Sequence, residues 1–395
     1  MTLIAPRLTR LPAASLTQLG MVSAELVLAA AIGLGLLLLG ADGTAWILGG
    51  IAAGAIVFVV SRFQLKINAT PNRNARKIGQ LLVGLTVGFS VQHSDIGAIA
   101  SSIPVFLLLT ACLLMGSLGV AAIYTRVQKT DWLTAMLATT PGNIGVMASI
   151  AADYGSNPAL VSLVQLVRFT LVTSAIPLLS NVSHPNDAWS TLNHLTHHLI
   201  DPDGAYLMRL GSVLLIAALS VKIGETLKIP VPALMCPLLV GVGFNALVNT
   251  LPFLPPVDFN PPVLLNVLGQ ILLGTTIGEY WGMNPNLGKF AIARATIPAG
   301  LTLLAGLGVA VIAKLFTSWD WLTCLLVTAP GGSPEMIWIA LTLHQDVEIV
   351  TVGHLIRLIA INALLPMMIV LATSLEQRPR KPFPIKQGVL ASRSK

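Results

Sequence analysis

Two short stretches hold the residues best suited to chemistry: Thr139-Thr140-Pro141-Gly142-Asn143 and Thr328-Ala329-Pro330-Gly331-Gly332-Ser333-Pro334. Each interrupts a long apolar segment. Proline removes a backbone donor and clashes with the preceding turn, and glycine loosens the chain further. In hydrocarbon the released amides and carbonyls need partners, so such backbone must be buried in protein or line a wet cavity. A break also exposes the start of the next half-helix, where free amides and the dipole attract anions. A simple kink would account for one break; two at matched positions point to a binding site. Arg168 and Arg357 follow, deep in apolar helices, with Gln165 and His354 one turn earlier on the same face. A charge at such depth is costly unless it meets a partner or a cavity. Each Arg therefore caps carbonyls of the neighbouring break or binds a solute. Glu335, one turn into the second half-helix, is placed to exchange a proton or bind a cation, or to pair with Arg357. Glu279 stands near a segment end and is less central. Gln80 and Gln270, in Gly-rich segments, line a pathway or bond helix to helix.

Other residue groups offer less. His194, His197 and His198 cluster in a polar loop without carboxylates or thiols at ligand spacing, so no metal site is expected. Cys112, Cys236 and Cys324 lie singly in apolar segments and read as small buried hydrophobes. No Walker loop, dinucleotide fingerprint or helix-turn-helix stands outside the apolar segments. The expectation is no catalytic residue, no cofactor and no nucleic-acid partner.

The elements that position these residues are membrane helices. The 395 residues are 54% hydrophobic and 10% charged, where a soluble domain carries roughly 25% charge. The mean hydropathy is +0.81. A span takes about 20 apolar residues, and apolar runs bounded by charge, Pro or Gly give these candidates: 21–40, 44–61, 78–92, 96–124, 131–152, 158–180, 206–224, 233–249, 262–282, 289–316, 320–343 and 347–375. A soluble enzyme, a disulfide scaffold and a disordered chain are excluded. The formal charge of +7 reports topology, because basic residues gather at Arg62, Lys66, Arg73, Arg76 and Lys77 and again at Arg378–Lys395, as in cytoplasmic loops. Arg7 and Arg10 precede the first apolar run, which reads as a retained helix.

The chain divides into an N-terminal cytoplasmic segment (1–20), a first membrane unit (21–180), a polar linker (181–205), a second unit (206–375) and a basic cytoplasmic tail expected to be disordered (376–395). The units repeat. Asp131-Trp132-Leu133-Thr134 recurs 189 residues on as Asp320-Trp321-Leu322-Thr323. The same step takes Thr139 to Thr328, Pro141-Gly142 to Pro330-Gly331, Met147 to Met336, Arg168 to Arg357 and Pro177 to Pro366. Gly79-Gln80, Gly84, Thr86 and Gly88 match Gly269-Gln270, Gly274, Thr276 and Gly278 at a step of 190. Glu335 falls on Val146 and Glu279 on Phe89, so the acids are not repeated. Six crossing spans per unit would make the repeats parallel and would put Lys222 and Lys228 outside. Inversion requires a re-entrant or fused segment in each unit. Parity stays open at this level.

On these residues the chain resembles the AbrB family of bacterial membrane proteins, in which a hydrophobic unit is duplicated. The resemblance covers residues 20–375 and rests on a break, an aliphatic run and a Gln-x-x-Arg-like helix seen twice. Members carry Ser/Thr-x-Pro-Gly-Gly at both breaks. Thr328–Gly332 keeps that pattern, Thr140 and Asn143 alter the first copy, and His354 stands where the family often has Gln. Family labels include regulator and ammonia monooxygenase. The paired breaks also look like those of sodium/proton antiporters and bile-acid symporters, an analogy that implies inverted repeats. The expected fold is all-α and polytopic, with 10–12 transmembrane segments and one Pro-Gly-broken helix per repeat. The expected function is ion-coupled secondary transport of a small anionic solute across the bacterial inner membrane. Thr139, Thr140, Pro141, Gly142, Asn143, Arg168, Thr328, Pro330, Gly331, Gly332, Ser333 and Arg357 would bind the solute. Glu335 and His354 would couple the ion, supported by Gln80, Gln165 and Gln270. The alternatives are a membrane-embedded regulator of gene expression acting through a partner and an ammonia monooxygenase-like metalloenzyme. The partners are the lipid bilayer and the solute, with homodimers common for such folds.

Overall fold

The computed structural model describes residues 13–39, 44–64, 71–92, 101–142, 144–181, 203–229, 231–250, 258–283 and 289–376. Asn143, the histidine loop and most of the basic tail lie outside them. The described residues form fourteen helices and no strand: α1 (Ala13–Leu38), α2 (Ala45–Phe63), α3 (Arg73–Ser90), α4 (Ile103–Gln128), α5 (Trp132–Thr139), α6 (Ile144–Asp153), α7 (Pro158–Asn181), α8 (Gly204–Thr226), α9 (Pro232–Asn249), α10 (Val263–Met283), α11 (Lys289–Phe316), α12 (Trp321–Thr328), α13 (Ser333–Thr342) and α14 (Val347–Leu375).

Nine of these are long and apolar enough to cross a membrane. Large apolar side chains stand open on their outer faces, for example Val27, Met208, Leu315 and Val370. In water such a surface would aggregate; against lipid tails it costs nothing. The chain is a multi-pass membrane protein. α3 carries Arg73, Arg76 and Lys77 in its first turns and is not among these nine, yet it packs between α9 and α10.

Glycines set the closest approaches, and with them the directions of the helices. A Cβ on Gly79 would meet Leu272 and Leu273, and one on Gly269 would meet Leu82 and Val83. Ascending positions on α3 thus meet descending positions on α10. The two run antiparallel, and the Asn72 N–H at the start of α3 donates to Glu279 near the end of α10 (2.9 Å). By the same test α2 runs parallel to α10, with Gly274 against Ile47 and Gly50 and Gly278 against Ile51 and Gly54. α9 runs parallel to α3, with Gly84 against Leu234 and Gly88 against Leu238 and Gly241.

These directions leave no room for α5 and α6 to cross as one broken span. They fold back on each other. Asp131 caps α5 through the Thr134 N–H (2.9 Å) and also accepts from the Ser156 hydroxyl beyond α6 (2.9 Å), while the Asn157 N–H donates to Thr134 (3.0 Å). The outer ends therefore meet and the Pro141-Gly142 tip dips inward. α12 and α13 do the same, with the Thr323 hydroxyl at Gln345 and Asp346 (3.3 Å each). Even the closing turns match at the 189-residue step. Gly155 (φ 67°) and His344 (φ 51°) both hold the left-handed conformation that ends a helix. Ser156 N–H reaches back to Ala151 (2.7 Å) as Gln345 N–H does to Ala340 (2.9 Å).

With α5–α6 and α12–α13 each folded back as a hairpin, the charges sort by end. At one end lie Arg62, Arg73, Lys77, Arg126, Lys129, Lys222, Lys228 and Arg294, partly paired as in Lys77–Glu225 (2.6 Å). Trp132, at the mouth of the first hairpin, donates there to Glu376 after α14 (3.1 Å). The other end has Arg209 and Lys314 among Asp203, Asp258, Asp320, Asp346 and Glu348, and there Phe106 stacks on Trp319 (5.2 Å). Lys222 and Lys228, misplaced by the twelve-span count, join the basic end.

Candidate functional site

Each hairpin tip poses one electrostatic problem: the last carbonyls of its first half-helix end inside the membrane with partial negative charge. Arg168 answers it in the first copy. One terminal nitrogen donates to the Thr139 carbonyl (2.7 Å) and the other to the Gln165 side-chain oxygen (2.5 Å). The Gln165 amide nitrogen in turn donates to the Leu137 and Thr140 carbonyls (2.7 and 2.9 Å). In the second copy Arg357 donates to the Ala329 carbonyl (2.8 Å) and to His354 Nδ1 (2.7 Å), and His354 Nε2 bonds the Leu326 carbonyl (2.9 Å). A guanidinium can only donate, so Nδ1 accepts and Nε2 carries the hydrogen. The imidazole thus does the work of an amide, taking a bond from Arg and giving one to the backbone, with both ring nitrogens occupied.

The second half-helix of the second hairpin starts without such cover. α13 has Gly332 as N-cap with no side-chain cap, and Pro334 in its first turn. Two clefts converge on this start. One, of about 440 Å³ to its open mouth, lies between α7 and α10 and is lined by Gly142, Ile144, Gln165, Arg168, Phe169, Leu273, Thr276, Ile277, Tyr280, Pro330, Gly331, Gly332 and Glu335, with Arg76 from α3. The other, of about 500 Å³, lies between α14 and α3 and is lined by Gln80, Pro141, Ser333, Pro334, Val231, Arg357, Leu358 and Ile361. Arg76, Gly142, Gly331 and Gly332 belong to both. The two tips meet, and their glycines form the shared wall.

Two buried polar atoms in the first cleft lack a hydrogen-bond partner among the described residues: Arg168 Nε and Glu335 Oε2. Glu335 is 2% exposed and its carboxylate lies against Gly332, where any Cβ would collide with it and with Phe169. Among the described residues no three His, Cys, Asp or Glu side chains converge to hold a metal ion.

The residues singled out from sequence divide accordingly. Pro141, Gly142, Gln80, Gln165, Arg168, Pro330, Gly331, Gly332, Ser333, Glu335 and Arg357 line the clefts. Thr139 and Thr328 turn their hydroxyls to carbonyls, Thr139 to Ser117 on α4 (3.0 Å) and Thr328 to Cys324 (2.9 Å). Thr140, Gln270 and His354 are buried outside both clefts, the first two with an unpartnered oxygen. Sequence reasoning missed Arg76 by reading it as a loop charge. Its spacing of four from Gln80 was the available signal, since i and i+4 share a helix face. It also missed Glu25, which is 1% exposed on α1.

A family model described as "Transition state regulatory protein AbrB" matches residues 46–373. The chain is 31% identical over 309 residues to "Uncharacterized protein YhjN" of Bacillus subtilis (strain 168), covering 75% of this chain and 78% of that protein. It is 22% identical over 324 residues to "Putative regulator AbrB" of Escherichia coli (strain K12), covering 80% and 86%. No solved structure matches it. With a model match that spans both hairpins and a relative above 30% identity over most of each chain, this protein belongs to the AbrB family.

Proposed function

We propose that this chain is a secondary transporter of a small organic anion in the bacterial inner membrane, with its basic end cytoplasmic and its halves acting as inverted repeats. One observation carries the reading: the two re-entrant tips meet at a cleft that combines the uncapped start of α13 with Arg76 and the unpartnered Nε of Arg168. Amide ends and guanidinium groups suit an anion. Phe169, Leu273, Ile277 and Tyr280 suit an apolar body attached to it. The repeat step exchanges α7 with α14 and α10 with α3, so it exchanges the two clefts. In an inverted arrangement these face opposite membrane surfaces, as alternating access from each side requires. The preponderance of Lys and Arg at one end sets the orientation. The protein carries its solute unchanged, and a homodimer is the proposed assembly.

A thermal-shift screen of purified protein against small organic anions and cations tests the reading. Anions should stabilise the wild type, and Arg76→Gln, which leaves both hairpin caps intact, should lose at least half of that shift. Stabilisation by cations alone, or by nothing in the screen, would end the anion-transport reading.

The printed names of the family model and of the Escherichia coli relative favour a second reading, a membrane-embedded regulator acting through a partner. It expects the regulatory phenotype to vanish on deleting residues 377–395 and to survive Arg76→Gln.

A further inference from the structure

Two of the charged residues that break the repeat symmetry are found in one cleft. Glu335 corresponds to Val146 and Arg76 to Asn266, so neither charge is needed to build a hairpin, and both line the space in front of α13. They do not touch. No Arg76 nitrogen comes within 4.0 Å of a carboxylate among the described residues. The Glu335 carboxylate folds back over the start of its own helix onto Gly332 and leaves Oε2 unpartnered. It occupies the position, and faces the cation, that an anionic solute would use.

We infer that Glu335 is a tethered competitor of the solute, and that one proton taken up on its carboxylate accompanies each anion bound. This rests on the anion-transport reading and adds its coupling. With Glu335 ionised, the α13 start and Arg76 are already answered by a negative charge, and a second anion is repelled. A proton from water on Oε2 removes that charge, frees Arg76, and leaves a neutral carboxyl that can donate to the anion. Binding of proton and anion then reinforce each other, and the reinforcement is reciprocal. A metal cation in place of the proton would need a cage of several oxygens, and among the described residues lining the two clefts Glu335 is the one carboxylate. The titratable or charged groups lining the clefts around it are Arg76 (α3), Arg168 (α7), Tyr280 (α10) and Arg357 (α14), while Cys324 (α12) and His354 (α14) lie on elements packed on α13 but line neither cleft. Arg357 and His354 are committed to their cap and Arg168 has only its Nε unpartnered, which leaves Glu335 as the group whose charge the anion must displace.

Calorimetric titrations of the full chain in detergent between pH 5.5 and pH 8, with butyrate, succinate and inorganic phosphate as probes, test this. For any probe that binds, affinity should rise by up to about tenfold per pH unit lowered, the slope of one linked proton. Glu335→Gln should bind at pH 8 as tightly as wild type does at pH 5.5, with a flat pH profile. Should that variant fail to fold, proton uptake by wild type in weak buffer serves instead, with one proton per anion expected. A pH-independent wild type, a wild-type slope kept by Glu335→Gln, or tightening by sodium at fixed pH would overturn the coupling and leave anion transport standing. Failure of all three probes at every pH would remove both.

Discussion

Arg168 and Arg357 occupy equivalent places, and their bonds divide capping from binding. Arg357 spends its two terminal nitrogens on Ala329 and His354, and Arg168 spends its own on Thr139 and Gln165, leaving Nε buried without a partner. Removing either should therefore cost stability before it costs affinity. Arg357→Leu leaves a buried carbonyl and an imidazole nitrogen unpaired, and hydrogen bonds to charged groups contribute about 1.5–3 kcal/mol each. A clear fall in the melting temperature of detergent-solubilised protein is expected. His354→Gln should keep both bonds, because Gln165 makes them in the other copy, and should leave melting and the pH profile of anion binding unchanged. A pH profile altered by His354→Gln would show the imidazole titrating in the mechanism.

At the level of elements, the hairpins are held from outside by helices that approach to backbone contact. Gly54 lies on Thr275, Gly88 on Leu238 and Gly241, and Gly278 on Ile51, with backbone as the neighbour each time. Backbone cannot rotate aside as a side chain can, and overpacking typically costs about 1–3 kcal/mol. Gly54→Leu and Gly88→Leu should each lower the melting temperature. Gly308→Leu, on an exposed face with nothing within 4 Å, should not. Equal tolerance of all three would mean that α2–α10 and α3–α9 do not pack this closely in the membrane.

Across the whole molecule the antiparallel course of α3 and α10 decides the topology. Cysteines placed at Arg126 and Asp153, on a background without Cys112, Cys236 and Cys324, should be labelled by an impermeant reagent from the same face. Cysteines at Ser318 and Asp346 should be labelled from the opposite face. Labelling of Arg126 and Asp153 from opposite faces would show α5 and α6 to be one crossing helix and would take the meeting tips with it. If the hairpins do enter from opposite faces, each tip rests against a helix of the other half, and movement of one half against the other opens one cleft as it closes its mate.

Composition and local pattern settled what depends on neighbours in the chain. The membrane class follows from charge density, the breaks from Pro-Gly in apolar surroundings, and the 189-residue step from direct comparison of Asp131–Pro141 with Asp320–Pro330. Gln165, Arg168, His354 and Arg357 were legible as deep polar positions, because a charge is conspicuous where hydrocarbon forbids it. Three things needed the tertiary structure. A helix that turns back and one that kinks onward break at the same Pro-Gly, and bonds between the outer ends, such as those of Asp131 with Ser156 and of Thr323 with Asp346, distinguish them. Whether an Arg caps or binds depends on which carbonyls come within about 3 Å, a distance between separate helices. Arg76, one of many charges in a basic stretch, became a site residue only when α3 was laid across the tips, because a charge acquires its role from what is folded in front of it.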